Sequence, residues 1–465
     1  VADAYRWRAQ GRGRAAVAGR LAGVLRRIDI RGQNLSTRQL LEVVPRAEID
    51  IDAALETVRP ILADVRARGE VALREYGDRF DSGSPANLRI APADIESALA
   101  TLDPAVRESL EEAIRRVRQF HEATVPPAVS VDLAPGARVS QRWVPVARVG
   151  LYVPGGLAVY PSSVVMNVVA AQAAGVTEIA VTTPPQKAFA GAPHPSILAA
   201  CALLGVTEVY AVGGAQAIGM LAYGATRTDG SVLCDPVDVI TGPGNVYVAA
   251  AKRAVNGTVG IDSEAGPTEI AVIADDSANP GFIAYDLLSQ AEHDPMAGSV
   301  LITDSAELAE AVGERLASIV GVTKHDVRAK EALGGVQSAI ILTDNLEQSI
   351  RVADAYGAEH LEIHTRDAAA VAGRIRNAGA IFVGPYSPVP LGDYMAGSNH
   401  VLPTGGTARF ASGLGVTSFL RAVSVIEYDE AALAQVGHKV IALANAEDLP
   451  AHGEAIAARL SPTSD

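Results

Sequence analysis

Gln290 and His293 stand three residues apart in Ser289-Gln290-Ala291-Glu292-His293, at the end of a run, Phe282 to Glu292, whose apolar spacing predicts a helix. Side chains three apart on a helix share a face, so an amide oxygen and an imidazole nitrogen there can close on one metal ion. Further donors are Asp393, in Pro390-Leu391-Gly392-Asp393-Tyr394, and His452 near the C-terminus. The four make a set of two nitrogens and two oxygens without a thiolate, suited to Zn2+ and also to Mn2+ or Co2+. Glu359-His360 adds an acid beside an imidazole. Such a pair can divide two proton transfers, the imidazole taking one from an alcohol and the carboxylate activating water. Each piece also has a plain reading: a solvated Glu, a packed His, an Asp in a Gly-rich turn. His121, His194, His325, His364 and His438 read as structural.

The chain that must position these residues has 465 residues, 49% of them hydrophobic, enough for two or three domains around a substantial core. A formal charge of −14 argues against wrapping a nucleic-acid backbone, which requires clustered Lys and Arg. A small-molecule partner is expected. No run is long and apolar enough for a membrane span, and the first 30 residues lack the apolar block of a secretory signal, so the cytoplasm is the expected location. Cys201 and Cys234 are the only cysteines, too few for a disulfide framework or a thiolate metal site. Near the N-terminus Arg6, Arg8, Arg12, Arg14, Arg20, Arg26 and Arg27 lie among Ala and Gly with Asp3 as the only acid. Residues 1–23 are read as a flexible extension ahead of the fold.

From residue 140 onward, short β-branched runs alternate with Ala-rich stretches of helical length. This is the pattern of an α/β fold with parallel strands covered on both faces. Strands are expected at 178–183, 208–213, 238–241, 269–274, 299–303, 338–342 and 380–384. Gly175-Val176-Thr177-Glu178-Ile179 recurs as Gly205-Val206-Thr207-Glu208-Val209, about one βα unit later, each Gly closing a helix. Helices are expected over 164–174, 196–204, 217–223 and 246–255, with a more charged helical region before residue 120. After Gly384 the pattern loosens into loops and ends in helices at 431–444 and from about 451, an arm able to pack on a second subunit.

Ligands in open α/β sheets sit beyond the carboxyl ends of strands. Three glycine-rich segments fall there: Gly150-Leu151-Tyr152-Val153-Pro154-Gly155-Gly156, Gly213-Gly214-Ala215-Gln216 and Gly242-Pro243-Gly244-Asn245. Backbone N–H groups at helix starts suit a phosphate, although no full G-x-G-x-x-G or P-loop pattern is present. A nucleotide and plain turn chemistry both fit these loops.

Taken in order, these segments resemble the histidinol dehydrogenase family from about Ile28 onward. Ala265-Gly266-Pro267-Thr268-Glu269, Ala358-Glu359-His360-Leu361 and Asn399-His400-Val401-Leu402-Pro403 carry the resemblance together with those already quoted. It implies a homodimer of two incomplete Rossmann-like lobes with parallel-rich sheets and a helical C-terminal dimerisation arm, divided as 24–151 with 267–405, 152–266 and 406–465. It implies oxidation of L-histidinol to L-histidine through a bound aldehyde, with two NAD+ and one Zn2+ per subunit. By motif, zinc falls on Gln290, His293 and Asp393 of one subunit and His452 of the other, and NAD+ on Tyr152, Gln216 and Asn245. Glu359 and His360 become the catalytic bases. Thr268, Glu447, His360 and the metal ligands touch substrate. Thr268 stands where many members carry Ser, which keeps the hydroxyl. Three other readings compete: an aldehyde dehydrogenase with Cys234 as nucleophile, a zinc hydrolase on the same donors, and a small-molecule-binding protein without turnover.

Overall fold

The computed structural model describes residues 24–460 apart from 48–49, 82, 156–158 and 265. The Arg-rich extension, Gly156 and Ala265 therefore lie outside the described residues. Two parallel sheets organise the chain. The larger has six strands, in the order Arg26–Asp29, Ala339–Leu342, Gly298–Thr303, Glu269–Ala274, His360–His364, Ala380–Val383, every neighbouring pair parallel. The smaller has five, Gly260–Ile261, Val239–Thr241, Arg148–Tyr152, Glu178–Thr183, Glu208–Ala211, also all parallel. Central strands such as Glu269–Ala274 and Gly298–Thr303 are buried at every residue, as expected where helices cover both faces.

Expected strands 178–183 and 269–274 match in both bounds, and the others to within two residues. Arg148–Tyr152, read as the start of a glycine-rich loop, is instead the buried centre of the five-stranded sheet. Gly150 misled the reading. It stands mid-strand because the helix Gly214–Tyr223 packs onto it, and a side-chain carbon there would lie 2.8 Å from Leu221. The expected border at 151/152 thus falls at the last residues of a strand of the smaller sheet. The helices Ile51–Arg68 and Glu70–Phe80 bury Val58, Leu62, Val65 and Leu73 in the same core as Ile218, Leu221 and Ile240, beside this sheet.

The C-terminal region is not wholly helical. Leu420–Tyr428 forms a nine-residue strand, antiparallel to Ala137–Pro145, which pairs on its other edge with Val129–Ala134. Polar Arg421 and Ser424 stand among apolar Leu420, Ala422, Val423 and Val425, so the series lacks the strict alternation that would mark such a strand in sequence. The helices Glu430–Ala446 and Pro450–Leu460 then pack on one another. Val129, Val131, Leu133, Ile426 and Leu443 are exposed in this region.

Candidate active site

Thr268, Glu269, Glu359 and His360 meet at the amino edge of the six-stranded sheet, because Ile270 is paired with His360 across adjacent parallel strands. This departs from the carboxyl-edge rule. The connecting elements explain it. The helix Pro280–Ala291 follows the strand Glu269–Ala274 and runs back along the sheet, so that its C-terminal residue pair delivers Gln290 and, just beyond, His293 to the amino edge. Asp393 does not lie in a loop as expected; it sits in the short helix Val389–Tyr394, whose start is held by Pro388 and Pro390. A helix C-terminus carries partial negative charge from unpaired carbonyls, which favours a cation beside Gln290 and His293.

The hydrogen bonds set the chemistry. Gln290 Nε2 donates to Thr268 Oγ1 at 2.6 Å, and Thr268 Oγ1 donates to Glu359 Oε2 at 2.6 Å. The Glu269 N–H donates to the same Oε2 at 3.0 Å. Burial pushes Glu359 up to about 8; those two donors, and then the charge of His293, pull down, while the charge of Asp393 pushes up. His360 Nδ1 lies 3.3 Å from the Glu269 carbonyl and 3.6 Å from Glu359 Oε2. A carbonyl only accepts, so Nδ1 carries the proton and Nε2 keeps its lone pair. Burial lowers His360, holding the ring neutral. His293 Nδ1 likewise donates to the Ser289 carbonyl at 3.0 Å, leaving Nε2 as a ligand atom.

Two atoms in this cluster are buried and unpartnered: Gln290 Oε1 and His360 Nε2. A buried acceptor without a donor is costly, so each implies a partner supplied from outside the chain. Gln290 Oε1, His293 Nε2 and the Asp393 carboxylate therefore fit a divalent cation by donor chemistry. His400 donates from Nδ1 to the Asp393 carbonyl at 3.1 Å and meets Ser163 Oγ at 3.2 Å through Nε2. Ser163 belongs to the helix Pro161–Ala174 beside the smaller sheet, so the loop that stood out in sequence fastens the two lobes together next to Asp393. Glu447 and His452 are exposed, on the C-terminal helical pair, and contribute no hydrogen bond to the cluster among the described residues.

Tyr152 ends one strand of the smaller sheet, and Gln216 and Asn245 follow the carboxyl ends of two others, the position expected of a nucleotide site. The Tyr152 hydroxyl accepts from the Gly214 N–H at 3.2 Å, and Gln216 Nε2 donates to Asp81 Oδ2 at 3.0 Å. Asn245 caps the helix Val246–Val255, its Oδ1 accepting from the N–H groups of Tyr247 and Val248. Gly242 is obligatory: its φ is +114°, and a side-chain carbon would lie 2.0 Å from the Tyr152 carbonyl oxygen. A buried ion pair, Lys252 with Asp262, fixes this loop from both sides, Lys252 donating to the Gly242 carbonyl at 3.0 Å and Asp262 accepting its N–H at 2.8 Å.

Cys234 is buried and its thiol donates to the Asp235 carbonyl. Burial raises it, which disfavours a thiolate nucleophile. Sequence reasoning gave no role to Arg46, which pairs with buried Glu269 at 3.2 Å and stacks over Tyr356. Nor did it join Asp286, Glu362 and His364, whose ligand atoms lie within 4.8 Å of one another, all buried. In sequence these three are scattered over two elements and carry no spacing signal.

Two parallel-sheet lobes, one presenting glycine loops at its carboxyl edge and the other a buried acid–base cluster with unpartnered acceptors, are those of an α/β enzyme. A sequence profile of the family Histidinol dehydrogenase matches residues 44–460. The chain belongs to that family. It is 58% identical over 440 residues to a histidinol dehydrogenase of Nocardia farcinica, covering 95% of this chain and 99% of the relative. It is 59% identical to one of Bifidobacterium longum, covering 94% and 93%. The crystal structure of histidinol dehydrogenase from Elizabethkingia anophelis superposes with a TM-score of 0.86 at 30% identity, over 95% of this chain and 99% of that one.

Proposed function

We propose that the protein oxidises L-histidinol to L-histidine, a four-electron conversion through a bound aldehyde using two NAD+, at the last step of histidine biosynthesis. The observation that carries this reading is the pair of buried, unpartnered atoms, Gln290 Oε1 and His360 Nε2, on either side of the Thr268–Glu359 hydrogen bond. Zn2+ on Gln290, His293, Asp393 and the partner subunit's His452 would supply open positions for the amine and imidazole nitrogens of the substrate, and NAD+ at Tyr152, Gln216 and Asn245 would supply the hydride acceptor.

The chain's own residues do the rest. His360 Nε2 takes the hydroxyl proton, its Nδ1–H staying on the Glu269 carbonyl so that the ring does not turn. Glu359, aimed by Thr268 and the Glu269 N–H, takes a proton from the water that adds to the aldehyde carbon. Glu359 ionises more readily once positive charge sits beside it, which offsets the effect of its burial. His360, once it has released the first proton to solvent, accepts the hydroxyl proton of the hydrated aldehyde. Thr268, Glu447 and the metal ligands line the substrate. Asn245 has its oxygen committed to its own helix, so Nδ2 is the group left to contact the dinucleotide.

The same reading makes the protein a cytoplasmic homodimer with a swapped C-terminal arm. Exposed Glu447 and His452, together with exposed apolar residues on the adjoining sheet, support it. The lobes follow the two sheets, 24–151 with 267–405 and 152–266, with the strand Arg148–Tyr152 given to the second, and 406–465 forms the arm. Among the described residues no helix is long and apolar enough to cross a membrane. The deciding measurement is NADH formed per L-histidinol consumed, before and after chelation and zinc restoration. Two per substrate, lost on chelation and regained with zinc, is expected; turnover without NAD+ would point to a hydrolase and sink the proposal.

A further inference from the structure

Asp286, Glu362 and His364 lie within the lobe that carries the acid–base cluster but take no part in the proton transfers above. Asp286 is one helical turn before Gln290, and Glu362 and His364 follow His360 at alternate positions of its strand, on the same face. Glu362 is fully buried, and Asp286 and His364 are nearly so. Glu362 Oε1 accepts the N–H of Val389 at 2.9 Å, the first residue of the short helix that ends in Asp393 and Tyr394. Its Oε2 meets His364 Nε2 at 3.3 Å, and the same imidazole nitrogen lies 3.9 Å from Asp286 Oδ2.

Each arm of this cluster thus ends on an element that carries a site residue: the helix of Gln290, the strand of His360 and the helix of Asp393. Two buried carboxyls in contact cannot both carry full charge without a compensating cation, and the usual resolution is one shared proton. Burial and the neighbouring Glu362 charge both raise Asp286, consistent with Asp286 holding that proton.

We propose that Asp286, Glu362 and His364 are positioning residues: a carboxylic acid–carboxylate pair sharing one proton, braced by an imidazole, which locks the helices of Gln290 and Asp393 to the strand of His360 and so presets the metal ligands. The inference rests on the functional reading above. In this arrangement Asp286 O–H donates to Glu362, and the Glu362 carboxylate in turn accepts from Val389. An amide in place of either carboxyl can reproduce the shared proton: the side-chain N–H introduced by Asp286→Asn donates to Glu362, and the one introduced by Glu362→Gln donates to an ionised Asp286.

The test compares zinc affinity, by competition with a chelator, of full-length wild type, Asp286→Asn, Glu362→Gln, Glu362→Leu and Val389→Pro, with thermal unfolding followed alongside. Val389→Pro removes the donated N–H and replaces one buried apolar side chain with another, a smaller change than Glu362→Leu, at a helix position where proline is favoured, so it probes the contact even if Glu362→Leu does not fold. Both amide variants are expected to bind zinc within about threefold of wild type. Glu362→Leu and Val389→Pro should weaken it by roughly 10- to 100-fold, the range for loss of a group that orients metal ligands, with kcat at saturating zinc largely kept. Unchanged zinc affinity in Val389→Pro would overturn the positioning role. So would a second metal equivalent in wild type that Glu362→Gln abolishes, because the cluster would then be a metal site and not a shared-proton pair. Wild type that binds no zinc at all would instead refute the functional reading on which the inference stands.

Discussion

His360, His293 and His400 are each oriented through Nδ1–H on a backbone carbonyl, His293 with a second at 3.3 Å on Gln290 and His400 also through Nε2 on Ser163. Backbone carbonyls cannot donate, so the fold sets which nitrogen carries the proton in the neutral ring. Glu359 is set differently, by two donors converging on Oε2, which leaves Oε1 for water. On the proposed mechanism this division of labour makes the two oxidations separable. Glu359→Gln keeps the size of the side chain and removes its basicity. It should lower aldehyde oxidation by about 10² to 10⁴ while sparing the alcohol step, which relies on His360. Rates measured with L-histidinol and with L-histidinal as separate starting substrates check this, and equal losses on both would remove Glu359 from water activation.

At the scale of elements, the two candidate sites are presented in opposite ways. The smaller sheet offers loops at its carboxyl edge, whereas the larger offers strand starts and helix ends at its amino edge. Asp81, at the end of the helix Glu70–Phe80, ties the helical region to the first of these by accepting from Gln216. Burial raises Asp81 from 3.8 to about 6. A carboxyl raised on folding contributes stability that is complete below its unfolded value and is lost as pH rises through its folded value. Asp81→Asn lacks that titration, so its melting temperature relative to wild type should climb between about pH 4 and pH 6 and level off above, as thermal scans without ligand would show. Strands such as Glu178–Thr183 were legible from unbroken β-branched runs between Gly and Pro, and Gln290 with His293 from helical spacing. The strands Arg148–Tyr152 and Leu420–Tyr428 were not, because the first depends on a glycine chosen for helix contact and the second on a partner strand far earlier in the chain. The Asp286–Glu362–His364 cluster was illegible for a related reason: only the sheet register and the returning helix bring its members together.

For the whole molecule, Glu447 and His452 are exposed on the C-terminal helices and apart from the Thr268–Glu359–His360 cluster within one chain, a separation that the proposed shared site would close by taking them from a second subunit. A chain with His293→Ala and a chain with His452→Ala, each inactive alone, should regain activity on mixing and refolding, since the mixed dimer holds one intact site. About a quarter of wild-type turnover is the most such a mixture can reach on statistical pairing, since half of the dimers are mixed and each holds one working site of two, and no recovery at any ratio would argue against ligation across subunits. A different consequence follows from the edge strand Arg26–Asp29, which pairs with Ala339–Leu342. The entire five-stranded sheet is threaded between these two partners in the chain. Synthesis therefore delivers a complete inner lobe before the outer sheet can close, and contacts between distant segments form slowly because their loop must first be ordered. Pulsed hydrogen exchange during refolding should find Val239–Thr241 protected ahead of Ala339–Leu342. The strand Arg26–Asp29, made early, is then among the last to be seated, and the larger lobe, with the acid–base pair at its edge, is finished around an inner lobe that is already folded.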